Sequence, residues 1–168
     1  QKALEAGKVR AIGLSNFVDA RFVDLVENME VKPAVLQLET HVFSQQKRMR
    51  ELMAPYGTRL MAWAPLAEGR NGIFTHPTLT AIGAKYGKTA AQTALRFLMA
   101  EDVIAIPKSV HRERLVENFS IDDFELSAED LDAIRALDGG KPMFADFNDP
   151  ALAKFLLEYD AKFNPERQ

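Results

Sequence analysis

Lys108, Ser109, Arg112 and Arg114 gather three cations and a hydroxyl at one junction of the chain. The run before them, Val103 to Ile106, is apolar and rich in β-branched residues, and it reads as a buried strand that Pro107 ends. The helix after them is expected to begin near His111, with Ser109 as its cap. Cationic side chains there reinforce the positive end of the helix dipole, a combination that attracts phosphate. Lys108 offers a point charge, whereas Arg114 offers a planar fork that can grip a phosphate or stack on a base. Glu117 and Asn118 follow Arg114 by three and four residues and share its helix face. A carboxylate and an amide in that place can hydrogen-bond the edge of a purine. The plain alternative is a solvated helix start with ordinary surface charge.

Other polar side chains stand where other strands are expected to end: Ser15 with Asn16, Gln37 with Glu39, and Trp63 before Pro65. In parallel α/β architectures, ligands bind at the edge where strand ends and helix N-termini converge. A carboxamide such as that of nicotinamide needs both donors and acceptors, which Ser15, Asn16 and Gln37 can supply. Trp63 can stack on a flat ring. The competing readings are a satisfied core amide for Gln37 and simple packing for Trp63. No GxGxxG is present, so a dinucleotide would not be held in the Rossmann manner, and HExxH, GxSxG and P-loop patterns are also missing. His41, His76 and His111 lack metal-ligand spacing and read as surface residues, so no metal site is expected. Tyr56 and Tyr86 each precede a helix-stopping glycine, which assigns them to the opposite face and makes them poor catalytic acids.

These side chains need a scaffold of alternating strands and helices. Strands are expected over Val9 to Leu14, Ala34 to Glu39, Arg59 to Trp63 and Val103 to Ile106. Helices are expected from Asp19 as cap to Met29, from Gln45 to Tyr56, from near Thr75-His-Pro77 to Gly87, and from Thr89 to Met99. Ser127-Ala-Glu-Asp130 resembles a capping box and opens a helix to Leu137; Asp149-Pro150 caps a last one to about Tyr159, with a loose tail after Asn164. The polar, glycine-bearing loop Pro65 to Gly72 is long enough to contact a ligand. Four strand–helix units imply a parallel α/β sheet in one domain over residues 1–168, without an internal boundary.

Composition narrows the function. Apolar residues at 47% and charged residues at 27% describe a globular chain with a real core. A net charge of −3 argues against a general nucleic-acid binder, since the basic cluster is local. Without cysteine there is no thiolate nucleophile and no disulfide. No apolar run approaches the roughly 20 residues of a membrane span, so a cytoplasmic protein is the default expectation.

Two segments, Gly7-Lys-Val-Arg-Ala-Ile-Gly-Leu-Ser-Asn-Phe17 and Ile106-Pro-Lys-Ser-Val-His-Arg-Glu-Arg-Leu-Val-Glu-Asn118, resemble signatures of the aldo-keto reductases. Leu36-Gln-Leu-Glu-Thr-His41 and Ala62-Trp-Ala-Pro-Leu66 fall between them in the family's order. Phe144-Ala-Asp-Phe-Asn-Asp-Pro150 is similar to bacterial members that reduce 2,5-diketo-D-gluconate and related small carbonyls. The resemblance implies a (β/α)8 TIM-type barrel with NADP(H) extended across its C-terminal rim. It places Ser15, Asn16 and Gln37 on the nicotinamide carboxamide, Trp63 on the ring and Leu66 at the pyrophosphate. Lys108, Ser109 and Arg114 would take the 2′-phosphate, and Glu117 and Asn118 the adenine. Trp63 stands where many relatives have tyrosine, and His111 where a smaller hydroxyl residue is common.

Such a barrel needs about 250 residues. The resemblance covers strands five to eight, so only the C-terminal (β/α)4 half with extra C-terminal helices is expected, and the catalytic tyrosine with its lysine, aspartate and histidine partners belongs to the other half. Four strands would leave two unpaired edges and an apolar face. A missing N-terminal half, in a chain read as truncated, or a second copy would close them. The expectation is therefore an NADP-dependent reductase of small aldehydes and ketones represented by its cofactor half, inactive alone. A non-catalytic nucleotide-binding module and a half-barrel interaction protein are the alternatives.

Overall fold

The computed structural model describes residues 1–163, with side chains through Tyr159. Four strands form one sheet: β1 (Gly13–Ser15), β2 (Val35–Glu39), β3 (Arg59–Trp63) and β4 (Ile104–Ala105). All neighbours are parallel and the order is β1-β2-β3-β4. Parallel neighbours need long crossovers, and helices supply them: α2 (Ala20–Glu27), α3 (Lys47–Met53), then α4 (Pro77–Lys85) with α5 (Ala90–Ala100). A short α1 (Lys2–Glu5) precedes the sheet; α6 (Arg112–Phe119), α7 (Ala128–Arg135) and α8 (Pro150–Phe163) follow it.

The α/β expectation holds, and β3 has the expected ends. The outer strands are shorter than their apolar runs suggest, with Val9 to Ile12, Val103 and Ile106 outside them. Each outer strand has one ladder partner among the described residues, so its ends lack the second row of hydrogen bonds that holds β2 and β3 extended.

Register sorts the strand residues onto two faces. Leu14, Leu36, Leu38, Leu60, Ala62 and Ala105 point to one side, where they join Phe22, Val26, Met53, Leu95 and Leu98 in a single apolar core. Ser15, Gln37 and Met61 pair across the other side and are half-buried or exposed. Helices thus cover one face of the sheet. At Gly13 an added methyl would meet Val35 Cγ2 at 2.6 Å, so only glycine lets β1 approach β2 here.

Local signals fared unevenly. Thr89 caps α5 in a full capping box with Gln92, and Ser127 accepts the Asp130 N–H at 3.2 Å. Asp149 accepts the Ala151 N–H at 2.8 Å and so caps α8. Asp19 does not cap α2: its carboxylate is taken by Arg48 at 2.6 Å and by Asn148, with its own φ at 49°. Ser109 does not cap α6 either, since that helix starts at Arg112; its hydroxyl accepts the His111 N–H at 3.0 Å and turns the chain one residue earlier. The helix expected to reach Tyr56 breaks into α3 and a 3₁₀ turn, Ala54–Tyr56. The tail expected to be loose after Asn164 lies outside the described residues.

Candidate functional site

Because the strands are parallel, all their C-terminal ends lie on one rim. Asn16 leaves β1 in a left-handed conformation (φ 62°), and its N–H donates to the Gln37 carbonyl at 3.0 Å. That turn brings its side-chain Oδ1 to the indole Nε1 of Trp63, which donates at 2.9 Å across the top of β2. Ser15 pairs with Gln37 in register, and both side chains lack a hydrogen-bond partner among the described residues. Gln37 is therefore no satisfied core amide. Its polar groups are free on the uncovered face, beside the amide NH₂ that Asn16 keeps free.

The chain then runs from Trp63 into a tightly wound loop. Ala64, Ala67, Glu68, Gly69, Asn71 and Gly72 all have positive φ. Four of these are not glycine, and such geometry persists only when the surroundings over-determine it. Ala67 and Ile73 are fully buried and pin the loop, while Arg70 reaches out with its guanidinium carbon 4.6 Å from the Phe144 ring centre.

Leu66 opens onto a second cluster. It lines a groove of about 380 Å³ together with Phe74, Lys108, Ser109, Arg114, Glu117 and Asn118. Lys108 and Arg114 are exposed, and neither has an ion-pair partner among the described residues. Two uncommitted cations beside a helix N-terminus suit an anion. Glu117 is held by the Thr89 hydroxyl, which donates to its carboxylate at 2.6 Å, and Asn118 is buried at the groove's floor. One group of residues thus presents amide-type donors and acceptors with an aromatic ring, the other presents cations with a carboxylate and an amide. The wound loop joins them.

The fit to an extended dinucleotide follows from that donor set: a free amide pair and an indole at one end, unpaired cations at the other, and backbone between. The ten residues expected at the site fall into these two clusters. Ser15, Asn16, Gln37 and Trp63 form the first, and Leu66, Lys108, Ser109, Arg114, Glu117 and Asn118 the second.

Sequence reasoning underrated the β2 end. His41, read as a surface residue, is fully buried, with Nε2 3.2 Å from the Glu39 carboxylate and Nδ1 accepting the Phe43 N–H at 3.2 Å. His76 is also partly enclosed, its ring 5.6 Å from that of Phe43, whereas His111 is exposed as expected. Glu39 is 3% exposed and accepts the N–H of Phe144 at 3.1 Å and that of Met143. Burial alone would raise its pKa, but the His41 and backbone hydrogen bonds outweigh this and hold it below the usual carboxylate value. Its place two residues after Gln37, on the same face of β2, was the available signal.

Tyr56 donates to Glu27 at 2.5 Å and Tyr86 to Asp130 at 2.6 Å, so neither is available as a proton donor at the rim. No group of acidic, histidine or cysteine residues among the described residues could hold a metal ion, and no described helix is long and apolar enough to cross a membrane.

Comparison with known proteins adds independent findings. The model of the Aldo/keto reductase family matches residues 1–139. A glyoxal reductase of Bacillus subtilis is 42% identical over 137 residues, which are 82% of this chain and 49% of that protein. Among solved structures, an aldo-keto reductase from a Medee basin deep-sea metagenome library superposes with a TM-score of 0.84 at 37% identity, covering 88% of this chain and 56% of the other. An aldo-keto reductase complexed with NADPH gives 0.79 at 31% identity, covering 89% and 49%. The chain spans about half the length of the curated relatives it matches.

Proposed function

Since this chain belongs to the aldo/keto reductase family, we propose that its rim holds NADP(H) and that it is the cofactor-holding (β/α)4 part of a carbonyl reductase barrel. The single observation that carries the reading is the pair of unpartnered cations, Lys108 and Arg114, on the groove that the wound loop connects to the Asn16–Trp63 pair. Lys108, Ser109 and Arg114 take the 2′-phosphate, Glu117 and Asn118 meet the adenine, and Leu66 lines the pyrophosphate. Ser15, Asn16 and Gln37 hold the carboxamide, and Trp63 flanks the ring.

When bound, the dihydronicotinamide supplies the hydride that reduces a carbonyl carbon. The residues of this chain orient that ring and keep water from one of its faces. Reduction also needs a proton donor to stabilise charge growing on the carbonyl oxygen. Tyr56 and Tyr86 are committed elsewhere, and by the family resemblance the donor belongs to a second (β/α)4 unit that also closes β1 and β4 into a barrel. The resemblance makes that unit the N-terminal (β/α)4 half; a second copy of this chain would cover the strand edges without bringing a new proton donor. Small aldehydes, keto-sugars and dicarbonyls are the proposed substrates, in keeping with the glyoxal reductase relative, and a cytoplasmic setting goes with them.

Titration with NADPH and NADH, followed by a reduction assay with glyoxal, tests the reading. NADPH binding with turnover only after a complementary half is added supports it. No NADPH binding overturns it, and binding that never leads to turnover assigns the chain as a nucleotide-binding module instead.

A further inference from the structure

The segment from Asp138 to Asn148 has little regular structure, yet it is bound to the rim at many points. Its Gly139 N–H donates to the Phe43 carbonyl at 2.9 Å, and its Asp138 carboxylate accepts the Gln45 N–H at 3.1 Å. Asn148 donates to Asp19 at 2.6 Å, beyond the end of β1. Between these outer ties, Glu39 receives two consecutive backbone N–H groups, from Met143 and Phe144. The result fixes one aromatic side chain. Phe144 lies 5.6 Å from Trp63, ring centre to ring centre, at an interplanar angle of 56°, and under the Arg70 guanidinium.

We propose that Glu39 is a positioning residue: its buried carboxylate latches the 138–148 segment so that Phe144 packs on Trp63 and the segment becomes a wall of the site beside that indole. The proposal rests on the reading that Trp63 flanks the nicotinamide. On that reading Phe144 borders the reactive end of the cofactor. Arg70 on Phe144, with the Asn71 amide 3.3 Å from the Met143 sulfur, ties the wound loop to the same wall. The wound loop and the segment thereby meet at one phenyl ring.

A carboxylate is the group this latch requires. Two adjacent N–H donors and the His41 ring converge on it, and an ionised carboxylate offers acceptor sites to all of them. An amide would turn one end, as a donor, toward a backbone N–H. Glu39→Gln therefore keeps size and polarity but breaks half of the latch.

Trp63 is the only tryptophan in the chain, so its emission reports this contact without any cofactor. Emission and acrylamide quenching are measured for the free wild-type chain, Glu39→Gln and Phe144→Ala, with far-ultraviolet ellipticity to show that each is folded. The expected result is a red shift and stronger quenching in both variants, with ellipticity unchanged. A folded Glu39→Gln whose Trp63 emission and quenching match wild type overturns the latch. Should that variant not fold, Met143→Pro deletes one of the two N–H donors from the segment and carries the same test: exposure of Trp63 supports the latch, and an unchanged signal overturns it. Failure of wild type to bind NADPH would remove the cofactor reading while leaving the emission result to judge the latch separately.

Discussion

The indole of Trp63 and the amide of Asn16 are joined by a 2.9 Å hydrogen bond that bridges the ends of β3 and β1 over the strand between them. The bond fixes the rotamer of the asparagine, leaving its NH₂ as the free donor, and it fixes the tilt of the ring. Trp63→Phe keeps an aromatic surface and deletes the bond. One neutral hydrogen bond contributes about 1 kcal/mol, so NADPH affinity should weaken roughly 5- to 10-fold. Titration calorimetry decides this. Unchanged affinity would mean that Asn16 needs no such support.

The cations act at the other end of the groove. A charge-assisted hydrogen bond contributes about 1.5–3 kcal/mol, so Lys108→Ala or Arg114→Ala should weaken NADPH binding about 10- to 100-fold. NADH lacks the 2′-phosphate and should lose much less. Equal losses for both nucleotides would remove the phosphate assignment from these residues.

Acid should loosen the chain partly through Glu101. Burial pushes its pKa up, but hydrogen bonds from Arg50 at 2.7 Å and from Arg135 outweigh this and leave it below the usual value. A depressed native pKa favours the ionised form in the folded chain. The stabilisation is therefore complete above the unfolded carboxylate pKa of about 4.3 and is lost as pH falls through the lower native value. Glu101→Gln should melt lower at pH 7 and show a shallower loss of Tm between neutral pH and pH 3. Parallel Tm curves for the two proteins would contradict the assignment.

Two helices meet at Gly83 in α4. A methyl group there would lie 2.5 Å from the Lys88 carbonyl and 2.7 Å from the Thr93 hydroxyl of α5. In an open helix, glycine to alanine is stabilising. Here overpacking should reverse the sign, and Gly83→Ala should cost about 1–3 kcal/mol in urea denaturation. A gain in stability would show that α4 can retreat freely.

Particular residues explain what could be read from the chain and what could not. Thr89, Ser127 and Asp149 act through contacts within their own turn, so their spacing announced them as caps. Ser15, Asn16, Gln37 and Trp63 were legible as a rim because strand ends in a parallel sheet share an edge. Asp19 looked equally like a cap, yet its carboxylate is claimed by Arg48, 29 residues on, and by Asn148, 129 residues on. Glu39 receives its ties from residues 104 and 105 positions away, and these bury His41 beneath the segment they hold. No local pattern records partners at that range.

The loop after β3 has a further implication, which concerns drift. With six residues of Ala64 to Gly72 in left-handed backbone, a new side chain there is screened first for whether its Cβ tolerates that twist and only then for its chemistry. Glycine, asparagine and aspartate pass, while valine, isoleucine and threonine are turned away. Random change therefore finds few acceptable side chains at these six positions of the loop between the two clusters, and it can scarcely alter the path of the peptide itself.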